Sequence, residues 1–157
     1  MGKTTSKEKI KKFQRQFSAG GVAFKTSKEN KIKWLLVKPA GTDRWQFPKG
    51  QIDKGEKTTE AALREVKEEG GVETKILEKI GSSSYFYVFE DTKYFKTVTY
   101  YLMKIIKKTK EGHDEEIDKV IYKEFDKAHE LLTFKADKSI LKKAKEMLES
   151  PIQKFLI

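Results

Sequence analysis

The chain of 157 residues carries 34 lysine and arginine residues against 24 aspartate and glutamate residues, so its formal net charge of +10 favours polyanionic partners. Its composition, 37% hydrophobic and 11% aromatic, excludes a disordered chain and suits one domain with its own core. Because it has no cysteine and two isolated histidines, disulfides, thiolate metal sites and multi-histidine metal sites are excluded.

The first segment of the chain, residues 1–16, is a basic arm with six lysine and arginine residues and one glutamate. It lacks the apolar stretch of a secretory signal, and no run in the chain is long and apolar enough for a transmembrane helix. We therefore expect a cytoplasmic protein without membrane contact, in which a frayed arm over residues 1–16 precedes one domain over residues 17–157. The arm is a candidate for contact with RNA, and a purely solvated charged surface is the alternative.

The first half of the domain predicts a hairpin followed by a helix. Two runs rich in β-branched and apolar residues, 17–25 and 32–38, flank a polar turn and predict paired strands. The segment "WQFPKG" is a short extended piece that ends at a proline and a glycine. The pattern over residues 57–69 predicts a helix that Gly70 and Gly71 terminate.

The second half of the domain predicts more strands and then helices. Strand-like runs cover residues 72–80, 84–90 and 94–106, and the polar turn between the last two predicts a second hairpin. A short strand is expected from residue 117, and two helices close the chain over residues 126–134 and 138–148. Strands interrupted by one helix and followed by terminal helices predict an α/β fold, in which helices cover a mixed β-sheet.

The internal helix carries an acidic stripe, which we expect to face solvent: Glu65, Glu68 and Glu69 follow one another at i, i+3 and i+4. Leu63 and Val66 are expected on a neighbouring core face. A solvated face with lysine partners is the alternative, but an alanine and a glutamate occupy the positions four residues before and after Glu65. Like charges at this spacing repel one another unless a cation lies on them, and Mg²⁺ prefers carboxylate oxygens. The stripe therefore indicates a site for a hard divalent cation.

The loop before this helix has a glycine at each end, Gly50 and Gly55, so that its backbone carbonyls can approach the acidic stripe. An ion pair between Glu56 and Arg64 would hold the loop on the helix. Support of that kind is what a metal site requires around its ligands.

The fixed positions of this segment resemble a complete Nudix box of 23 residues. The matching positions are Gly50, Glu56, Arg64, Glu65, Val66, Glu68, Glu69, Gly71 and Val72. The runs "SAGGVAF" and "WQFPKG" also resemble the first strand of that family and its lead-in to the box, so the resemblance covers about residues 17–148. It implies a Nudix-type α/β/α sandwich with a mixed β-sheet.

The resemblance implies an enzyme that hydrolyses the pyrophosphate linkage of a nucleoside diphosphate derivative with Mg²⁺ or Mn²⁺. By match to the box, the expected metal ligands and catalytic groups are Glu65, Glu68, Glu69 and the Gly50 carbonyl, with Glu56 and Arg64 as the ordering pair. In some branches a residue on a later loop deprotonates the attacking water. Glu116 is the candidate here, as base and as metal ligand, with Glu115 as its rival and plain loop charge as the alternative for both.

The runs "FPKG" and "KTVTYYL" resemble the diadenosine polyphosphate hydrolase branch, which makes dinucleoside polyphosphates the expected substrates. Lys49 and Lys96 would then contact phosphates, and Tyr87 or Phe134 would stack on a base. "WQFPKG" also resembles RNA 5′-pyrophosphohydrolases, while oxidised nucleotides and inositol pyrophosphates stay open as substrates, as does the oligomeric state. A non-catalytic Nudix module that binds nucleotide or nucleic acid is the alternative to an enzyme, and the intact box argues against it.

Overall fold

Six strands and three helices make up residues 10–150, the part of the chain that the computed structural model describes. In chain order they are β1 (Lys12–Thr26), β2 (Ile32–Pro39), β3 (Lys49–Gln51), α1 (Thr58–Gly70), β4 (Val72–Phe89), β5 (Thr92–Lys108), β6 (Ile117–Lys123), α2 (Phe125–Leu131) and α3 (Lys135–Glu149). None of these helices has the length and apolar character required to cross a membrane.

The strands form one mixed sheet in the order β4-β5-β1-β2-β6, and the short β3 pairs with β1. β1 and β5 are parallel, and the other neighbours are antiparallel. Along its other edge β1 changes partner, because residues 18–20 pair with β3 and residues 24–26 pair with β2. Because of this change of partner, β3, which contains Gly50, lies against the central strand of the sheet.

Each face of the sheet packs against helices. Alternate residues of β1 serve two cores, with Ala19 and Ala23 on the side of α1 and with Val22 and Phe24 on the side of α2 and α3. Gly21 allows α1 to lie close to the sheet, because a Cβ at that position would come within 2.6 Å of a methyl group of α1. The predicted α/β/α sandwich with a mixed sheet is confirmed.

Several predicted boundaries differ from the structure. The last two helices end at Leu131 and begin at Lys135, rather than at residues 134 and 138, and two further differences change how the strands are divided. The runs over residues 72–80 and 84–90 form the single strand β4, because its pairing with β5 absorbs three register shifts without ending. β1 begins at Lys12, so residues 12–16 of the predicted frayed arm pair with β5. Residues 1–9 of the arm lie outside the described residues, and the division into arm and domain stays a prediction.

The core face of α1 differs from the prediction at one residue. Val66 is fully buried, as expected, together with Ala61 and Ala62. Leu63, predicted for the same face, is 36% exposed and does not belong to the core. The side chains of successive residues point in directions about 100° apart around the helix axis. The two small alanines therefore bring the helix onto the sheet, and the next side chain points toward the surface.

We expect Val66→Ala to lower the free energy of unfolding by about 2 kcal/mol, because it removes two buried methyl groups and leaves a cavity beside Gly21. Leu63→Ala on the same helix is the matched control and should cost less than about 1 kcal/mol, since the leucine is already partly solvated. Urea unfolding measures both values. A larger loss for Leu63→Ala would contradict this assignment of the core face.

Candidate active site

Arg64, in the middle of α1, is the centre of the hydrogen-bond network at the predicted site. Its Nε and Nη2 donate to the two carboxylate oxygens of Glu56 at 2.7 and 3.0 Å, and Nη2 also donates to the Gln51 carbonyl at 3.0 Å. Its Nη1 donates to Glu65 at 2.7 Å and to Glu68 at 3.3 Å. One guanidinium therefore fixes the loop before α1 and two carboxylates of the helix in a single arrangement.

The pair of Glu56 and Arg64 stays charged across the physiological pH range. The hydrogen bonds from Arg64, together with the backbone N–H of Asp53, lower the pKa of Glu56 to about 2. The hydrogen bonds to Glu56 raise the pKa of the guanidinium in return. The structure brings the two residues into contact, and their role in ordering a metal site stays a prediction.

Two of the three glutamates in the acidic stripe are largely buried, which corrects the prediction of a solvent-facing stripe. Glu65 and Glu69 are each 9% exposed because β3 packs over them, whereas Glu68 is exposed. Burial raises the pKa of Glu65 against the opposing hydrogen bond from Arg64. Burial also raises the pKa of Glu69 to about 8, although the backbone N–H of Lys49 donates to it at 3.0 Å. The hydrogen-bond donors of these two glutamates therefore offset only part of the cost of burying their charged forms.

Gly50 lies directly against the carboxylate of Glu65. A Cβ at residue 50 would overlap this carboxylate, so glycine lets the backbone of β3 come this near without displacing the Glu65 side chain. Carboxylate and backbone carbonyl oxygens are ligands that Mg²⁺ and Mn²⁺ accept, and the donor set therefore fits a hard divalent cation. Within residues 10–150 no three acidic or histidine side chains form a ready-made metal cluster. Arg64 already holds two of the stripe carboxylates.

The loop before β6 is attached to α1 by a hydrogen bond from the Asp114 N–H to the Glu68 carbonyl at 2.8 Å. Glu116, the candidate base, is exposed. Burial is the largest cause of the raised pKa of Glu65, and the negative charges of Glu68 and Glu116 raise it further. The negative charge of Asp114, which was not predicted although it lies in the same acidic run, adds in the same way to the raised pKa of Glu69. Glu115 is exposed as well. The structure therefore brings this loop to the acidic stripe.

A cavity of about 680 Å³ opens on the α3 side of the sheet. Three of the four predicted substrate contacts line it: Lys49, Lys96 and Phe134. Tyr87 lies farther out on the hairpin of β4 and β5, where its ring stacks on a tyrosine of β5 with 4.8 Å between the centroids. Among the described residues, Tyr85 lines the cavity where Tyr87 was expected, because both share one face of the strand and the cavity extends to the nearer one.

The two cavity lysines are poorly hydrated. Burial lowers the pKa of Lys49 and of Lys96, and the charge of Lys49 lowers the pKa of Lys96 further. Asp137, in the first turn of α3, is 4% exposed and accepts a hydrogen bond from the Tyr100 hydroxyl at 3.4 Å. Burial raises the pKa of Asp137 to about 6. Asp137, Tyr100 and Arg44 also line the cavity. No local spacing in the sequence could have linked Asp137 or Tyr100 to β3. Desolvated cations favour an anionic ligand such as a phosphate chain.

Comparisons with known proteins agree with this architecture. A family model described as "NUDIX domain" matches residues 15–146. The crystal structure of a C. elegans Ap4A hydrolase binary complex is similar to this chain with a TM-score of 0.65 and 26% sequence identity. The match covers 85% of this chain and 97% of that chain.

Curated relatives are matched over part of their length. Putative mutator protein MutT4 of Mycobacterium tuberculosis is 29% identical over 105 residues, which are 67% of this chain and 42% of the relative. RNA pyrophosphohydrolase of Nitratiruptor sp. is 64% identical over 31 residues, which are 20% of each chain. The chain spans less than half the length of these relatives.

We expect Gly50→Ala to lower the free energy of unfolding by about 1–3 kcal/mol, because the added methyl group overlaps the carboxylate of Glu65. The same substitution in a Glu65→Ala background is the control, and its cost there should fall below about 1 kcal/mol. Urea unfolding of the four proteins in metal-free buffer gives the interaction energy between the two residues. Equal costs in both backgrounds would show that residue 50 does not press against Glu65.

Proposed function

The chain belongs to the Nudix family, and on this premise we propose that it is a pyrophosphohydrolase dependent on Mg²⁺ or Mn²⁺, with dinucleoside polyphosphates as its substrates. The position of Lys49 carries the proposal. This residue lines the cavity, while its backbone N–H donates to Glu69 of the acidic stripe. A nucleotide in the cavity would therefore have its phosphates beside the stripe.

Glu65, Glu68, Glu69 and the Gly50 carbonyl are the proposed ligands of the divalent cation, with Glu116 as a further ligand. The raised pKa values of the two buried glutamates support this assignment, because burial disfavours their charged forms and a bound cation would favour them. When bound, the cation would supply charge neutralisation at the phosphates and a water of lowered pKa.

The remaining side chains hold the substrate and the loop in place. Arg64 and Glu56 keep the loop on α1, which fixes the positions of the stripe carboxylates before substrate binds. Lys49 and Lys96 bind the phosphate chain as desolvated point charges. We propose Glu116 as the base that accepts a proton from the attacking water, since its negative charge contributes to the raised pKa of Glu65.

The base of the nucleotide is proposed to stack at the mouth of the cavity. Phe134 is 45% exposed there and Tyr85 is 43% exposed, so both rings offer a free face. Stacking tolerates different bases, which suits adenine without strict selection. Tyr85 is better placed for this role than Tyr87 because it lines the cavity.

RNA 5′-pyrophosphohydrolysis is the second candidate function, supported by the 64% identity to an RNA pyrophosphohydrolase over 31 residues. A 5′-triphosphate would present a similar phosphate chain to Lys49 and Lys96.

The absence of cysteine suits the cytoplasm, which is the compartment that we propose. A protein that binds nucleotide but hydrolyses none of these substrates would be a binding module instead.

We expect EDTA to abolish hydrolysis and Mg²⁺ or Mn²⁺ to restore it. Glu69→Gln should lower kcat by about 100-fold or more, because it removes the charge of a proposed ligand. Glu146→Gln, an exposed position on α3, is the control and should leave kcat unchanged. Phosphate release from diadenosine tetraphosphate, coupled to a phosphatase, measures the rates. Full activity after thorough chelation would refute the metal assignment.

Lys96→Met should lower kcat/KM for diadenosine tetraphosphate by about tenfold or more, because it removes a charge-assisted contact to phosphate and keeps the apolar stem. Lys108→Met, at the exposed end of the same strand, is the control. The same assay on triphosphorylated RNA compares the two candidate functions. A higher kcat/KM for RNA, or a dinucleotide value unaffected by Lys96→Met, would exclude dinucleoside polyphosphates as the preferred substrates.

A further inference from the structure

The outer end of the sheet carries an exposed aromatic face. In that region β1, β5 and β4 continue side by side, and Phe13, Phe17 and Phe86 are 53%, 55% and 57% exposed. Within residues 10–150 these rings are therefore left largely uncovered. We call this face the aromatic platform, and it consists of Phe13, Arg15, Phe17, Phe86, Lys93 and Phe95. A contiguous apolar surface of this kind marks a contact site more often than an isolated exposed ring does.

The cations of the aromatic platform lie on its rings. The Arg15 guanidinium is 5.4 Å from the centroid of Phe95 and 5.8 Å from that of Phe13. The Lys93 ammonium is 4.7 Å from the centroid of Phe86, and the rings of Phe86 and Phe95 have centroids 4.7 Å apart. Aromatic rings and positive charges therefore alternate across one surface.

The positive charge of the aromatic platform is not neutralised by neighbouring acids. Among the described residues neither Arg15 nor Lys93 forms an ion pair. No aspartate or glutamate occurs in the three strand segments that form the platform, residues 13–17, 84–88 and 93–97. The nearest acids in the sequence, Glu90 and Asp91, lie in the turn before Lys93, so a ligand that brings negative charge is favoured on these rings.

We propose that the aromatic platform binds a single strand of nucleic acid. Every base offers a π-face that can stack on an exposed ring, and Arg15 and Lys93 supply positive charge for the phosphates between the bases. Charge disfavours a second copy of this chain, because a symmetric contact would place these cations against their own counterparts. A duplex also fits less well, since the faces of its bases are already stacked.

The aromatic platform is separate from the cavity of the proposed reaction. Tyr85 lines the cavity, and Phe86, the next residue of β4, points to the opposite face of the sheet. The platform begins beside the loop that follows Gly50, because the Phe17 carbonyl accepts a hydrogen bond from the Ile52 N–H at 3.1 Å. Binding on the platform therefore does not depend on hydrolysis in the cavity.

Fluorescence anisotropy of the full chain with a fluorescein-labelled single-stranded RNA of about 12 nucleotides tests the proposal, with EDTA present to prevent hydrolysis. Phe86→Ala should weaken binding about tenfold through the loss of one stacked base. Phe89→Ala is the matched control, because this ring is 63% exposed on the same hairpin but faces the other way, and binding should change less than about twofold. Duplex RNA of the same sequence should bind at least about tenfold more weakly.

Arg15→Gln is a second variant that leaves the rings in place. It should reduce the slope of log Kd against log salt concentration by about 0.7, which corresponds to one phosphate contact on a single strand. Equal binding by Phe86→Ala and Phe89→Ala, or a duplex bound as tightly as the single strand, would overturn the proposal. A dimer in sedimentation velocity that Phe86→Ala dissociates would also overturn it, because the platform would then be a self-association surface.

Discussion

The contact of Arg64 with its carboxylates is the constraint on which the site depends. One planar guanidinium bonds both oxygens of Glu56 and a carbonyl of the loop, and its remaining nitrogen bonds Glu65. Fixed donors of this kind hold a loop at low entropic cost, because the fork geometry is already set. Two carboxylates of the stripe, those of Glu65 and Glu68, are thus positioned by Arg64 before any ligand arrives. A divalent ion that binds Glu65 enters a site where the loop is already in place.

The central strand β1 connects the parts of the molecule for which we propose a function. One of its faces packs against α1, which bears the acidic stripe, and the other belongs to the core beside the cavity. Its edge pairs with β3, which brings Gly50 and Lys49 to the stripe. Its outer end supplies half of the aromatic platform. A shift of β1 in the sheet would therefore disturb the loop before α1, the cavity and the aromatic platform together.

Local spacing predicted those features that depend on one helix and the loop before it. The contact of Glu56 with Arg64 follows from positions eight residues apart, and the helix ends at the expected glycines. A helical wheel gives the direction of a side chain but not what lies above it, so the burial of Glu69 under β3 was missed. The alternation of side chains along β4 likewise predicted that Tyr85 and Tyr87 share one face. It could not predict the cavity beside Tyr85. Asp137 reaches the cavity through a helix distant in sequence, which no spacing rule could reveal.

The parallel pairing of β1 with β5 has a consequence for the order in which the protein forms on the ribosome. Lys12 pairs with Thr92, eighty residues later, and the pairing continues to Phe24 and Lys104. Contacts between such distant segments form slowly, because a long loop must close before they are made. The first strand and α1 therefore leave the ribosome well before the strand that completes the sheet. During that interval the phenylalanines of the nascent chain stay uncovered, and a chaperone that binds aromatic segments would bind them.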